Sequence, residues 1–312
     1  RSTFDWGIPV PWDTKQVIYV WFDALLNYAT AVGLDDDPTT AGGKKFAQTW
    51  PADVHLVGKD ILRFHAVIWP AMLMAAGLPL PKKVFAHGWL MVGGEKVSKS
   101  KANQIAPSEI TVHFGVDAFR YYFLRAIPFG SDGSFSWEDM SARYTSELAN
   151  DFGNLASRLA AMIEKYCGGK VPAVAKDPEL SAALAATVEK ADAAMVALDF
   201  QGGINAVMEF CKQVNGFVTV KEPWILAKDP ANQAILEDVL YNTAESLRAL
   251  AVLLHPVMPA TTEILWESLG AKAALGEIGA QEISKIASWG QLPQGATVTK
   301  TPVLFPRLEV KE

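Results

Sequence analysis

The chain has 312 residues, half of them hydrophobic, and a formal net charge of −6. This length fits about two domains of roughly 100–200 residues each, and the acidic balance excludes a protein coated with basic residues for nonspecific nucleic-acid binding. Only Cys167 and Cys211 occur, and neither lies in a Cys-x-x-Cys pair, which argues against a disulfide framework or a cysteine-based zinc site.

The sequence also argues against a membrane protein. Its longest apolar run, Ala66 to Leu80, is too short to span a bilayer and contains Pro70 and Pro79. No signal-peptide pattern opens the chain. We therefore expect a cytoplasmic protein without a membrane partner.

The first part of the chain predicts an α/β fold. Val17–Phe22 is a continuous apolar run, typical of a parallel strand buried on both faces. Asp53–Val57 and Lys83–Ala86 are two further strand candidates. Between them, Asp60 is predicted to cap a helix that ends at Gly77. This order of elements predicts a βαβ unit.

The rest of the chain predicts an all-α bundle. Apolar residues recur at helical spacing in five segments, at about 147–166, 179–198, 203–221, 231–254 and 260–269. Thr301–Leu308 is predicted to be extended, because two prolines forbid a helix there. These patterns predict an α/β domain at residues 1–135 and a helical domain with an extended tail at 136–312.

A lysine-rich stretch, GGEKVSKSK at residues 93–101, suggests phosphate binding. It belongs to a predicted hairpin-like excursion that starts at Leu90. Residues 82–101 hold five lysines against one glutamate in an otherwise acidic chain. The stretch lacks the Gly-x-x-x-x-Gly-Lys-Ser/Thr pattern of a Walker loop, which excludes a P-loop kinase or ATPase.

Several side chains follow the predicted strands, where α/β sheets bind ligands. Ile61, His65 and Trp69 are spaced four apart and share one helix face. Trp21 and Tyr28 straddle Asp23 at the end of another predicted strand. From spacing alone, these residues are equally consistent with a pocket for a polarizable side chain and with a core.

Two further sets suggest contacts with bases. His87-Gly88-Trp89 follows a predicted strand, and its glycine would let a flat base approach the backbone. Asn154 and Arg158 share a helix face, and both residue types can bind base edges. Trp224 lies in a break between helices, where a ring could stack on an unpaired base. Spacing alone favours a solvated surface for the pair and a core position for Trp224.

These motifs together resemble the methionyl-tRNA synthetases, a family of class I aminoacyl-tRNA synthetases. Lys96-Val-Ser-Lys-Ser100 is similar to the second class I signature, usually Lys-Met-Ser-Lys-Ser. The other matching stretches, in family order, are VWFDALLNY (20–28), HLVGKDILRFHAVIWP (55–70), FAHGWL (85–90), NLASR (154–158), KEPW (221–224) and LHPVMPATTEILW (254–266). The resemblance covers nearly the whole chain, and it implies that residues 1–135 are the second half of a Rossmann-type nucleotide-binding domain.

The resemblance implies a two-step reaction with ATP, L-methionine and tRNA(Met) as substrates. Methionine is activated to methionyl-adenylate and then transferred to the tRNA, while Mg²⁺ bridges the phosphates. Lys99 is implied as the main phosphate contact, with Lys96, Ser98 and Ser100 supporting it.

The resemblance also implies three sets of binding residues. The methionine side chain would be enclosed by Trp21, Ala24, Leu25, Tyr28, Ile61, His65 and Trp69. The ribose, adenine and substrate polar groups would be contacted by Gly58, Asp60, His87, Gly88, Trp89 and Leu90. The CAU anticodon would be read by Asn154, Arg158 and Trp224.

The sequence departs from the family pattern by three substitutions and two absences. Val97 replaces the signature methionine, Ala102 stands where glycine often follows, and Leu25 stands where part of the family has proline. The first class I signature, of the His-x-Gly-His type, is absent from the sequence, as is the connective insertion that can carry zinc. We therefore expect a C-terminal portion that is inactive alone, partnered by the N-terminal half of the enzyme, with zinc possible only in that half.

Two alternatives stay open. Other class I synthetases, for valine, isoleucine, leucine or cysteine, share the lysine signature, although the aromatic set disfavours their small substrates. The chain could instead be a non-catalytic tRNA-binding module, since it keeps the anticodon-reading residues and lacks the first signature.

Overall fold

The computed structural model describes residues 6–35, 37–92, 95–96 and 105–308, with only the backbone described at 95–96. The chain divides into two compact units, residues 1–89 and 90–312. Each unit has its own apolar core.

The first unit is α/β. Its elements are β1 (Pro9–Val10), β2 (Asp13–Val17), α1 (Val20–Ala24), α2 (Asn27–Ala31), α3 (Ala41–Thr49), β3 (His55–Gly58), α4 (Trp69–Ala75) and β4 (Val84–His87). Strands β3 and β4 pair in parallel, with His55 opposite Val84 and Gly58 opposite His87. The predicted βαβ unit is therefore confirmed, and the carboxyl ends of both strands meet at one edge.

The strand predicted at Val17–Phe22 is wrong. Strand β2 ends at Val17, and helix α1 begins at Val20. Ile18, Tyr19 and Phe22 are each more than half exposed, so the run is not buried on two faces. A short apolar run does not distinguish strand from helix by periodicity, which explains the error.

The helix predicted after Asp60 has an irregular start. A 3₁₀ turn at Lys59–Ile61 and a π-helical turn at Phe64–Ile68 lead into α4. The predicted cap at Asp60 is wrong, because the turn begins after Gly58 and no side chain caps it. The predicted stop is confirmed, since Gly77 follows the helix with a φ of +70°.

The second unit opens with a pair of strands and is otherwise mostly helical, with one further strand after its second helix. Its elements are β5 (Leu90–Val92), β6 (Glu95–Lys96), α5 (Pro107–Phe114), α6 (Val116–Ala126), β7 (Gly133–Phe135), α7 (Trp137–Arg143), α8 (Asn154–Cys167), α9 (Pro178–Val196), α10 (Phe200–Lys221), α11 (Pro223–Leu226), α12 (Gln233–Leu254), α13 (Pro259–Ser268), α14 (Ala271–Leu275) and α15 (Ile283–Ile286). The antiparallel β5–β6 pair confirms the predicted hairpin. Strand β7, which pairs with β5 in parallel, was not predicted.

The bundle helices match the predicted segments closely. The segment predicted at 147–166 is part of a longer helical stretch, in which π-helical residues Tyr144–Gly153 separate α7 from α8. Helix α8 ends at Gly168 in the left-handed conformation, as the glycine predicted. Helix α12 is buried continuously from Val239 to Val252, so it forms the centre of the bundle.

The C-terminal tail is extended, as predicted. Residues 301–308 form no helix or strand, and Phe305 is buried edge-on against Tyr144. The Tyr144 hydroxyl donates a hydrogen bond of 2.8 Å to the Pro306 carbonyl, which fixes the tail on the bundle. In the part of the chain that the structure describes, no helix has the length and apolar character needed to cross a membrane.

Candidate active site and anticodon-binding face

The aromatic side chains singled out in the first unit lie together. The ring centroid of Tyr28 lies 5.5 Å from that of His65 and 6.1 Å from that of Trp69. Trp21 stacks on Phe64 at 4.6 Å and meets the His65 ring edge-on at 5.9 Å. Residues from α1, α2, the π-helical turn and α4 thus form one cluster.

Two hydrogen bonds fix the protonation pattern of His65. Its Nδ1 lies 2.9 Å from the Ile61 carbonyl, which can only accept, so Nδ1 carries the proton. The other ring nitrogen, Nε2, lies 2.8 Å from the Tyr28 hydroxyl. In a neutral His65, Nε2 therefore accepts and Tyr28 donates.

Burial divides the cluster into a floor and a rim. Leu25, His65 and Trp69 have no exposed surface, whereas Trp21, Ala24, Tyr28 and Ile61 are half-buried. Burial also raises the pKa of the Tyr28 phenol, which keeps the hydroxyl protonated at neutral pH. Leu25 and Trp69 give the cluster an apolar floor and the Tyr28–His65 pair gives it one polar contact, which suits a long, polarizable side chain.

His55 belongs to the same cluster but was not singled out from the sequence. It is buried, and its ring centroid lies 4.6 Å from Tyr28. Trp69 Nε1 donates to its Nε2 at 3.4 Å. Burial, and then the nearby His65, lower the pKa of His55, which favours the neutral ring. The only signal in the sequence is a polar residue in the middle of the strand candidate Asp53–Val57.

Gly58, Asp60 and His87, three of the residues assigned to ATP, lie at the carboxyl edge of β3 and β4. Gly58 and His87 are opposite each other in the strand register. A Cβ at Gly58 would lie 2.6 Å from Asp60 Oδ1, so that carboxylate lies directly against the glycine backbone. His87 Nδ1 donates to the Gly88 carbonyl at 2.8 Å, which orients its ring.

The ammonium group of a lysine lies over the ring of Trp89. Lys59 Nζ lies 4.1 Å from the ring centroid, within the range of a cation–π interaction. Lys59 was not among the predicted site residues, although it lies between Gly58 and Asp60. Leu90 opens β5 in the second unit.

The structure describes only one of the predicted phosphate-binding residues, Lys96, and only its backbone. The backbone of Lys96 pairs with Met91 in the β5–β6 hairpin. Ser98, Lys99 and Ser100 lie outside the described residues, as do the departures Val97 and Ala102. Among the residues that the structure describes, no group of three or more His, Cys, Asp or Glu side chains could hold a metal ion.

The three residues assigned to the anticodon lie on the helical bundle. The Arg158 guanidinium lies 5.3 Å from the Trp224 ring centroid. Trp224 is half-buried and packs against the core, and its role in stacking on a base stays a prediction. Asn154 is the first residue of α8, one turn before Arg158, and its side chain is exposed.

Asn154 also lines a groove of about 280 Å³ on the bundle surface. One wall is formed by Asn150, Asn154 and Ser157, and the other by the C-terminal tail near Val303 and Phe305. Asn150 was not singled out, although its position four residues before Asn154 places it on the same face.

Two family models match the chain. The model described as "tRNA synthetases class I (M)" matches residues 1–160, and that of the anticodon-binding domain of tRNA ligase matches residues 177–298. The fold class predicted from the sequence, a Rossmann-type portion followed by a helical domain, is confirmed by these matches.

Two known methionine–tRNA ligases align with this chain over its full length. The methionine–tRNA ligase of Streptomyces coelicolor is 64% identical, with 100% of this chain and 58% of that protein covered. The ligase of Caldanaerobacter subterraneus is 47% identical, with 100% and 48% covered. The chain thus spans about half the length of these relatives.

A solved structure agrees with this result. The structure of Mycobacterium tuberculosis methionyl-tRNA synthetase in complex with methionyl-adenylate superposes with a TM-score of 0.82 at 38% identity, covering 98% of this chain and 59% of that one. The chain therefore belongs to the class I tRNA synthetase family designated M.

Proposed function

We propose that this chain is the C-terminal portion of a methionyl-tRNA synthetase, which makes methionyl-adenylate from ATP and L-methionine and transfers the methionyl group to tRNA(Met). The observation that carries the proposal is the convergence of Trp21, Tyr28, His65 and Trp69 into one cluster. The family match and the methionine–tRNA ligases among the relatives support the same conclusion.

The cluster provides the methionine pocket in this proposal. Leu25 and Trp69 form its floor, and Trp21, Ala24 and Ile61 its half-buried sides. The Tyr28–His65 pair supplies the polar contact that distinguishes a thioether from a plain alkyl chain. Since one methylene is worth only about 1–3 kcal/mol in such a pocket, norleucine and homocysteine are the difficult competitors.

The edge of β3 and β4 provides part of the ATP site. Gly58 and Asp60 hold ribose and substrate polar groups, and the segment from His87 to Leu90 borders adenine. Lys99, supported by Lys96, Ser98 and Ser100, contacts the phosphates of the ATP–Mg²⁺ complex. Lysines stabilise charge that develops on the phosphates, and no protein nucleophile is required.

The helical bundle provides the anticodon-binding face. Trp224 offers a ring on which an unpaired base can stack, and the Arg158 guanidinium already lies beside that ring. The amide of Asn154 is exposed one turn away, where it can pair with a base edge. We assign these three residues to the CAU anticodon of tRNA(Met).

The N-terminal half of the same enzyme is the proposed partner of the first unit. Large apolar side chains of this unit are more than half exposed, namely Trp6, Ile8, Trp12, Ile18, Tyr19, Val20 and Phe22. Exposed apolar patches of this kind mark interaction surfaces. In this proposal the partner completes the ATP site, and any zinc site belongs to it.

Binding of free amino acids to the 312-residue chain tests the methionine assignment. Isothermal titration with L-methionine, L-leucine, L-isoleucine, L-valine and L-cysteine should give the highest affinity for methionine. Preference for another of these amino acids would favour a different class I synthetase. Binding of a CAU stem-loop without any amino-acid binding would favour the tRNA-binding module.

A further inference from the structure

His55 contacts two members of the aromatic cluster, Trp69 and Tyr28. Its Nε2 accepts the Trp69 indole N–H at 3.4 Å, and its ring packs on Tyr28 at 4.6 Å. Only 6% of its surface is exposed. A buried polar side chain is costly unless it is hydrogen-bonded, so the Trp69 bond accounts for its placement.

The hydrogen bonds of the two histidines are complementary. Because the indole N–H can only donate, the Nε2 of His55 carries no proton and serves as an acceptor. Because the Ile61 carbonyl can only accept, the Nε2 of His65 is the acceptor for Tyr28. His65 therefore orients Tyr28 at the rim, and His55 orients Trp69 in the floor. The two histidine ring centroids lie 6.2 Å apart.

We propose that His55 is a positioning residue of the side-chain pocket, where it holds the Trp69 indole and supports the Tyr28 ring, and thereby sets the preference for a thioether over an alkyl chain. This rests on the proposed function, which assigns the pocket to methionine. His55 acts through Tyr28 and Trp69, and its own contact with substrate is not required.

The test uses the 312-residue chain labelled with ¹⁵N at its tryptophans. The Trp69 indole resonance is identified with Trp69→Phe and followed in His55→Leu and His55→Gln. Affinities for L-methionine and L-norleucine are measured on the same samples. Leu56→Ala is the matched control, because Leu56 is the next residue on β3 and its side chain is exposed on the other face.

We expect His55→Leu to move the Trp69 resonance and to lower the methionine-over-norleucine affinity ratio about fivefold, as expected for one lost hydrogen bond. His55→Gln, which keeps an acceptor, should retain the ratio within about twofold of the wild type. Leu56→Ala should leave both readouts unchanged.

Three results would overturn the proposal. His55→Leu could leave the resonance and the ratio unchanged, or His55→Gln could behave like His55→Leu, which would mean that no acceptor is needed. A wild-type chain that binds neither amino acid would overturn the pocket assignment and the selectivity role with it, while the indole resonance would still show whether His55 holds Trp69.

A measurement without mutation covers the case in which His55→Leu fails to fold. Protonation of His55 removes the acceptor, so the wild-type Trp69 resonance should move as the pH is lowered. His65 and Tyr28 are the titratable groups that face His55 in the cluster. The Tyr28 phenol is neutral in acid, since burial raises its pKa, and His65→Gln removes the other ring as a control. A Trp69 resonance independent of pH in both chains would contradict a bond to His55.

Discussion

The Tyr28 hydroxyl lies 2.8 Å from Nε2 of His65, although the two residues are 37 positions apart in the sequence. The contact joins helix α2 to the π-helical turn at Phe64–Ile68. Single π turns inside helices often occur at functional sites. Here the turn carries His65 and the Nδ1 bond to Ile61 that leaves Nε2 free to accept from Tyr28.

Removal of that hydroxyl should weaken methionine binding more than norleucine binding. Tyr28→Phe keeps the ring but leaves the buried Nε2 of His65 unpaired, which we expect to cost about 1–3 kcal/mol of stability. Calorimetric titration of both amino acids measures the effect on binding. Tyr19→Phe is the control, since Tyr19 packs near Phe64 but is half exposed. Equal losses for both amino acids would contradict a specific polar contact.

Acid should destabilise the first unit through His55. Its pKa is lowered in the folded chain by burial and by His65, whereas an unfolded histidine titrates near pH 6.5. The unfolded state therefore binds more protons just below pH 6.5, and stability falls as the pH drops from that value towards the folded pKa. Urea unfolding of the wild type and His55→Gln, each followed by tryptophan fluorescence across this range, should show a smaller loss for the variant. Identical pH profiles would contradict the assignment.

Much of the fold follows from the sequence because helical periodicity and glycine stops are local signals. The bundle helices and the left-handed Gly168 are examples. The run Val17–Phe22 was misassigned, because its pattern does not reveal that these side chains are exposed. His55 was missed for a different reason: its role depends on Trp69 and Tyr28, which only tertiary packing brings to it.

The candidate site residues were also found partly from the sequence and partly from tertiary packing. Motif resemblance identified Trp21, Tyr28, His65 and Trp69, and packing then brought them together. Spacing alone could not decide between core and pocket, because Trp69 is wholly buried while Tyr28 is half-buried in the same cluster. The roles of these four residues, and those of Lys99 and its neighbours, stay predictions.

Changes at Arg158 and Trp224 should weaken anticodon binding. Trp224→Ala should cost about 1–3 kcal/mol for a CAU stem-loop, because a stacked base loses its ring, while Trp224→Phe should keep most of the affinity. Arg158→Ala should reduce discrimination against altered anticodons. Fluorescence anisotropy with labelled stem-loops measures both effects.

Lys165→Ala is the matched control for Arg158→Ala, because it removes an exposed cation from the same helix. Equal losses for Arg158→Ala and Lys165→Ala would indicate a general charge effect rather than anticodon reading.

A buried ion pair should be essential for the second unit. Glu245 and Arg248 are almost wholly buried and 2.9 Å apart. The Glu245 carboxylate also accepts from the backbone amides of Gly290, Gln291 and Leu292, which holds that segment on α12. Glu245→Ala removes the charge partner of a buried guanidinium, which keeps its hydrogen bond to the Ile286 carbonyl, and should cost about 3–5 kcal/mol.

Urea unfolding followed by far-ultraviolet circular dichroism measures this loss. Glu209→Ala breaks the exposed Lys212–Glu209 pair on α10 and serves as the control. Its effect should be below about 1 kcal/mol. A similar small effect for Glu245→Ala would contradict the role of the buried pair.

The most direct test of the central claim is methionine-dependent ATP–pyrophosphate exchange in a chimera. The 312-residue chain replaces the matching segment of the Streptomyces coelicolor methionine–tRNA ligase, to which it is 64% identical. We predict exchange with methionine in the chimera, its loss in Lys99→Ala, and none in the 312-residue chain alone. A folded chimera that prefers another amino acid, or that keeps full exchange in Lys99→Ala, would contradict the account.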